Sequence, residues 1–184
     1  MKNRILKWSM KKYTQRQRII ALIPESIFFL IGLPFLLFFL SRFIDAHLYL
    51  VKLRWGYLNF AIALIFGALG FFLSFWSVLI QFKIGKGTPA PLMATQKLIV
   101  EGPYTYCRNP MTLGTAMFYL GIGIWIGSLS FLGLTALIIG LLLAYVKLIE
   151  EKELEERFGQ EYVEYKRKTP FLIPGKRKRY INQR

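Results

Sequence analysis

The stretch Ile19–Leu40 reads IIALIPESIFFLIGLPFLLFFL, with Glu25 its only charge. At about 1.5 Å per residue such a run crosses a hydrocarbon layer of roughly 30 Å as a helix. Pro24 and Pro34 predict bends, which neighbouring helices tolerate. Glu25 is expected near headgroup depth. Three further apolar runs follow, at about Gly56–Phe82, Leu113–Gly127 and Leu129–Val146. The first run has no small-residue cleavage site and is followed by these others, so it does not read as a signal peptide. The last two runs are short, and only Ser128 and its neighbours separate them, which predicts a tight helical hairpin. The expected fold is an all-α integral membrane protein with about four transmembrane helices. Phe43–Arg54 leaves room for a partial fifth, an interfacial connector being the simpler reading.

The composition agrees. Of 184 residues, 54% are hydrophobic and 19% charged, which excludes a disordered chain. Cys107 and His47 are the only cysteine and the only histidine, so neither a disulfide framework nor a Cys- or His-rich metal site is expected. Lys and Arg number 25 against 10 Asp and Glu, a net charge of +15. No nucleic-acid-binding motif accompanies that charge, and no nucleic-acid partner is expected. With four crossings, 22 basic residues fall on one side of the bilayer and three on the other. The asymmetry predicts a cytoplasmic location for both termini and for the middle loop.

The chain divides into a basic N-terminal segment (1–18), N-terminal transmembrane helices (19–82), a core (83–175) and a basic tail (176–184). After the fourth run comes EEKELEERFGQEYVEYKRK, Glu150–Lys168. Leu154, Phe158, Tyr162 and Tyr165 recur at spacings of three and four, which predicts a cytoplasmic amphipathic helix interrupted at Gly159. Pro170 and Pro174 end regular helix. The final GKRKRYINQR suits contact with anionic lipid headgroups.

Two places can carry chemistry. The middle loop, KIGKGTPAPLMATQKLIVEGPYTYCRNPMTLG from Lys83 to Gly114, is too long and too rich in turn residues for a plain connector. In it Tyr104 and Tyr106 stand beside Arg108 and Asn109, immediately before an apolar run. An arginine and an amide there can grip an anionic or zwitterionic group; an aromatic belt with a snorkelling Arg would look the same. The second place is the Glu150–Glu151 pair, close to Lys147 at the end of the fourth run. Carboxylates at the edge of a bilayer core are costly unless paired or hydrated. They can accept from an ammonium group or from ribose hydroxyls.

The ordered set Gly102-Pro103-Tyr104, Arg108-Asn109-Pro110-Met111 with Gly114, and Glu150-Glu151 followed by Leu154, Phe158-Gly159, Tyr162, Tyr165, Pro170 and Pro174 resembles the membrane methyltransferase superfamily of isoprenylcysteine carboxyl methyltransferases and phospholipid N-methyltransferases. Gly87-Thr88-Pro89-Ala90-Pro91 fits many prokaryotic members. The resemblance spans roughly residues 65–175. It implies S-adenosylmethionine as methyl donor, with Tyr104, Arg108, Asn109, Glu150 and Glu151 lining its pocket. Gly70 stands where phospholipid-methylating relatives carry the second glycine of Gly-x-Gly; close helix packing explains it equally. Arg108 suits the donor carboxylate, a glutamate its ammonium or ribose, and Tyr104 or Tyr106 its adenine or cation. Glu150, Glu151 and Lys147 are the catalytic candidates: a glutamate to take a proton from an amine acceptor, or Lys147 to position a carboxylate. Many relatives have His where Asn109 stands, and Asn cannot accept a proton near pH 7. Phe171 stands where many have Arg. The acceptor is expected to be a lipophilic molecule of the bilayer, of isoprenylcysteine-carboxylate or phospholipid-amine type. Competing readings are a non-enzymatic scaffold that binds anionic lipid and an NADPH-dependent membrane reductase.

Overall fold

The computed structural model describes residues 13–88 and 93–175. Both basic termini, and Pro89-Ala90-Pro91 in the loop, lie largely or wholly outside the described residues. Four helices form the bundle: α1 (Gln15–His47), α2 (Tyr57–Gly85), α3 (Pro110–Ile126) and α4 (Leu129–Phe158). A short helix, α5 (Gln160–Lys168), follows. α1, α2 and α4 are each long and apolar enough to cross a membrane. α3, at 17 residues, is a shorter apolar helix of about 25 Å. No strand occurs among the described residues. Leu48–Gly56 is an irregular connector rather than a fifth helix.

Local chemistry sets the boundaries. Thr14 opens α1 with a capping box shared with Gln17. Pro34 lacks the N–H that an α-helix would direct at Leu30. The chain answers with a π-helical turn, Phe28–Gly32, in which the Leu33 N–H donates to the Phe28 carbonyl. The Phe29 carbonyl, left over by that register, accepts a hydrogen bond from the buried Tyr119 hydroxyl at 2.6 Å. Proline relief in α1 is thus converted into a contact with α3. Tyr119 joins Leu37 and Phe131 in a small core between α1, α3 and α4.

The α3–α4 hairpin turns at Gly127, whose φ of +69° is left-handed, a conformation glycine adopts at no steric cost. A Cβ there would also strike the Leu53 carbonyl. Ser128 caps α4 by accepting from the Phe131 N–H at 3.0 Å. The same hydroxyl donates to Asp45 of α1 at 2.6 Å. Asn59 of α2 donates to the Ile124 and Leu53 carbonyls and so fastens this end of the bundle.

α2 and α3 lie together along their length because small residues face each other. A Cβ on Gly114 would stand 2.6 Å from the Ser74 nitrogen, and one on Gly70 would stand 2.6 Å from the Gly114 carbonyl. Close backbone approach through small residues is how helices associate where lipid removes the hydrophobic driving force. At the other end of the bundle, Arg18 of α1 donates to the Phe82 carbonyl of α2 at 2.7 Å and lies over the Phe82 ring. The middle loop, the C-terminal end of α4 and α5 gather at that same end.

Gly70→Val is expected to force the α2–α3 seam apart. Overpacking of this kind costs on the order of 1–3 kcal/mol or more. Thermal unfolding in detergent should show a clear fall in Tm, whereas Gly67→Ala, with open space around its Cβ, should leave Tm nearly unchanged.

Candidate functional site

The middle loop enters the site through a short 3-10 turn, Gly102–Thr105, and leaves it at Asn109, which precedes Pro110 at the first position of α3. The acidic doublet arrives from α4. There the helix takes a second route past regular geometry, the π-helical turn Val146–Glu150. One inserted residue rotates everything that follows by about 100°. Beyond the turn Glu151 points inward and is 2% exposed.

Glu151 meets Arg108 there. The Arg108 Nη1 to Glu151 Oε1 distance is 2.5 Å, and both side chains are largely buried. The second Glu151 oxygen pairs with Lys166 of α5 at 2.9 Å, and Lys166 also reaches Glu155 at 2.8 Å. Arg108 therefore lies against an internal carboxylate, held from the other side by a second cation. Its Nε is buried and has no hydrogen-bond partner among the described residues. The Tyr162 hydroxyl sits beside the pair; burial pushes its pKa up to about 12, with Glu151 adding to the shift.

A strap of chain after α5 closes over the loop. The Arg108 N–H donates to the Pro170 carbonyl at 2.8 Å, the Gly175 N–H to the Tyr106 carbonyl at 3.1 Å, and the Asn109 side chain to the Phe171 carbonyl at 2.9 Å. The Phe171 ring lies 5.4 Å from the guanidinium centre of Arg108. From α5 the Tyr165 hydroxyl donates to the Tyr104 carbonyl at 2.8 Å. Gly159, at φ +54° and ψ −130°, turns the chain from α4 into α5 so that both tyrosines can face inward.

The sequence candidates separate into groups. Arg108, Glu151, Tyr104 and Asn109 come together. Tyr104 is buried, and burial pushes the pKa of its phenol well up; Tyr106 is exposed. Glu150 is half-buried and forms no ion pair among the described residues. Lys147 is exposed, and among the described residues no ion pair includes it. Gly70 lies in the α2–α3 seam against Gly114 and Phe118. Three residues of the site were not singled out as site residues from the sequence: Lys166, Tyr162 and Phe171. The stripe spacing did place Tyr162 on an inward face, but nothing local reveals that Lys166, fifteen residues after Glu151, shares its carboxylate. Among the described residues, no cluster of three or more His, Cys, Asp or Glu suits a metal ion.

Removing one partner of a buried pair strands the other charge, at about 3–5 kcal/mol. Arg108→Ala and Glu151→Leu are each expected to lower the Tm strongly, and the double variant Arg108→Met/Glu151→Leu to recover part of the loss. Additive losses in a thermal-melt cycle would contradict direct pairing. A further check uses alkaline pH. Hydrogen bonds to Glu155 and Glu151 raise the pKa of Lys166. Its stabilising effect is therefore complete below the ordinary lysine pKa and lost as pH rises through the elevated one. Tm measured against pH should show that alkaline fall in the wild type and a smaller one in Lys166→Met.

Comparison with known proteins bears on the same region. Residues 58–161, from α2 through the start of α5, match the phospholipid methyltransferase family. A cobalt-zinc-cadmium resistance protein, CzcN, of Cupriavidus metallidurans is 34% identical over 77 residues. That match covers 42% of this chain and 35% of the relative, so the alignment spans about a third of the relative's length. With more than half of its length matched, and with both site elements inside the match, the chain belongs to the phospholipid methyltransferase family.

Proposed function

We propose that this protein transfers a methyl group from S-adenosylmethionine to a lipophilic acceptor resident in the membrane, and that the acceptor is an amine. The observation that carries the reading is the buried contact of Arg108 with Glu151, which brings the loop to the acidic doublet. The residues there fit the donor. Arg108 has a buried Nε with no partner among the described residues, and a guanidinium grips a carboxylate well. Tyr104 offers a buried aromatic face, and among the described residues its hydroxyl makes no well-formed hydrogen bond. Glu150 can accept from an ammonium or from ribose hydroxyls. Asn109 supports the site through the strap. In this reading Gly70 serves the helix seam and not the pocket.

When bound, the donor supplies an electrophilic methyl on a sulfonium. The chain's own part is to align the acceptor, exclude water and move a proton. Charge disperses in such a transfer, so a dry pocket does not oppose it. An amine acceptor must release a proton, and the two glutamates are not equivalent for that task. Glu151 is held between Arg108 and Lys166. Glu150 forms no ion pair among the described residues, the cation that acts on it, Arg157, being paired with Glu153, and Glu150 is the proton acceptor. A carboxylate acceptor would approach Glu150 with like charge, and the exposed Lys147 does not join the cluster to offset it. The polar end of the bundle faces the cytoplasm, as the basic residues predict. The donor enters there, and the acceptor enters laterally from the bilayer.

The test is a transfer assay in nanodiscs with methyl-labelled S-adenosylmethionine. Phosphatidylethanolamine or another lipid amine should become labelled, and a prenylated-cysteine analogue should not. Glu150→Gln should lower kcat by about 10²-fold or more while changing the Kd for S-adenosylhomocysteine less than about threefold. Labelling of the carboxylate analogue alone, or an unchanged kcat in Glu150→Gln, would overturn the amine assignment.

A further inference from the structure

α1 lies outside the family-matched residues, yet it reaches the loop that builds the site. The contact is Glu25, 8% exposed, whose Oε1 accepts a hydrogen bond from the Thr88 hydroxyl at 3.0 Å. Thr88 is itself 4% exposed. A buried carboxylate in an apolar helix is retained only against a polar partner, so this contact is a strong local constraint on where α1 and the loop meet.

What Thr88 holds in turn is tightly specified. Its N–H donates to the Met93 carbonyl at 2.9 Å, and the Gln96 N–H donates to the Gly85 carbonyl at 2.6 Å. Residues 85–88 and 93–96 pass so closely that a Cβ on Gly87 would stand 2.7 Å from the Thr95 nitrogen. From the far side, Arg157 of α4 donates to the Thr95 carbonyl and pairs with Glu153. The segment is therefore clamped between α1 and α4. It then runs through buried Ile99 directly into the Gly102–Thr105 turn and Arg108.

We propose that the Glu25–Thr88 hydrogen bond makes α1 a positioning element of the site: Glu25 fixes Thr88, and the clamped segment sets the approach of Tyr104 and Arg108. Neither residue touches the donor. The ligand readout of this proposal rests on the donor reading given above; the structural readout does not.

The experiment uses the full chain in nanodiscs and compares Thr88→Val, Thr88→Ser, Glu25→Leu, Glu25→Gln and the double variant Glu25→Leu/Thr88→Val. Amide hydrogen exchange is followed in the segment 93–108 and, as a control, around Asn59 and Ile124 at the opposite end of the bundle. Thr88→Val and Glu25→Leu should each accelerate exchange at 93–108 by about tenfold and leave the control segment unchanged. Thr88→Ser and Glu25→Gln keep a donor and an acceptor, respectively, and should stay within about threefold of wild type. The double variant should be clearly less severe than the sum of the two single changes, the signature of a shared contact. The Kd for S-adenosylhomocysteine should weaken in the same order. Wild-type exchange in Thr88→Val, equal acceleration at both ends, or additive losses would each overturn the proposal. Should Glu25→Leu fail to fold, Thr88→Val and its rescue by Ser decide alone. A wild-type protein that binds no S-adenosylhomocysteine would overturn the donor reading, and the exchange comparison would still decide the coupling.

Discussion

A guanidinium and a carboxylate set at the edge of an apolar bundle are stable there only where they meet. Arg108 comes from a loop and Glu151 from a helix more than forty residues later, and the 2.5 Å contact between them fixes how the second half of the chain is arranged. The hairpin of α3 and α4 must be short and tight enough to return α4 to the loop. α5 must fold back at Gly159 so that Lys166 can satisfy the second Glu151 oxygen. The strap from Pro170 to Gly175 then covers Arg108 and exchanges main-chain hydrogen bonds with the loop. Desolvation is unfavourable for either charge alone. The observed arrangement is one in which each carries a partner.

Departures from regular helix recur where polar groups must be aimed. The π-helical turn in α1 accommodates Pro34 and leaves the Phe29 carbonyl for Tyr119. The π-helical turn in α4 rephases the helix just before Glu151. A third, Gln81–Gly85, ends α2 where the loop begins. Two of the three flank the site. Between them the α2–α3 seam is set by Gly70 and Gly114, which allow backbones to touch and hold the two ends of the bundle in register.

Much of this was legible in the sequence, and for identifiable reasons. Apolar runs of membrane length, the Gly127–Ser128 break and the Gly159 interruption are local signals, and each appears in the structure as a helix, a turn or a bend. The pairing of the loop with the acidic doublet was legible only through their order and spacing. Other features have no local signature. Glu25 reads as a lone charge near a membrane surface, but it is buried and accepts a hydrogen bond from Thr88, 63 positions away. Arg108 reads as a free grip for an anion; the fold pairs one of its nitrogens with Glu151. The π-turn Val146–Glu150, just before the buried Glu151, has no marker in its own sequence comparable to Pro34 in α1.

The proposal that Arg108, Tyr104 and the Glu150–Glu151 pair line the donor site of a membrane methyltransferase is open to direct test. A cryo-electron-microscopy or crystal structure with S-adenosylhomocysteine tests it most directly. Ligand density is expected at the polar end of the bundle, within hydrogen-bond reach of Arg108 and Glu150. Density in the apolar groove between α1 and α3, lined by Pro34, Phe38, Ile122 and Trp125, or no density at saturating ligand, would contradict it.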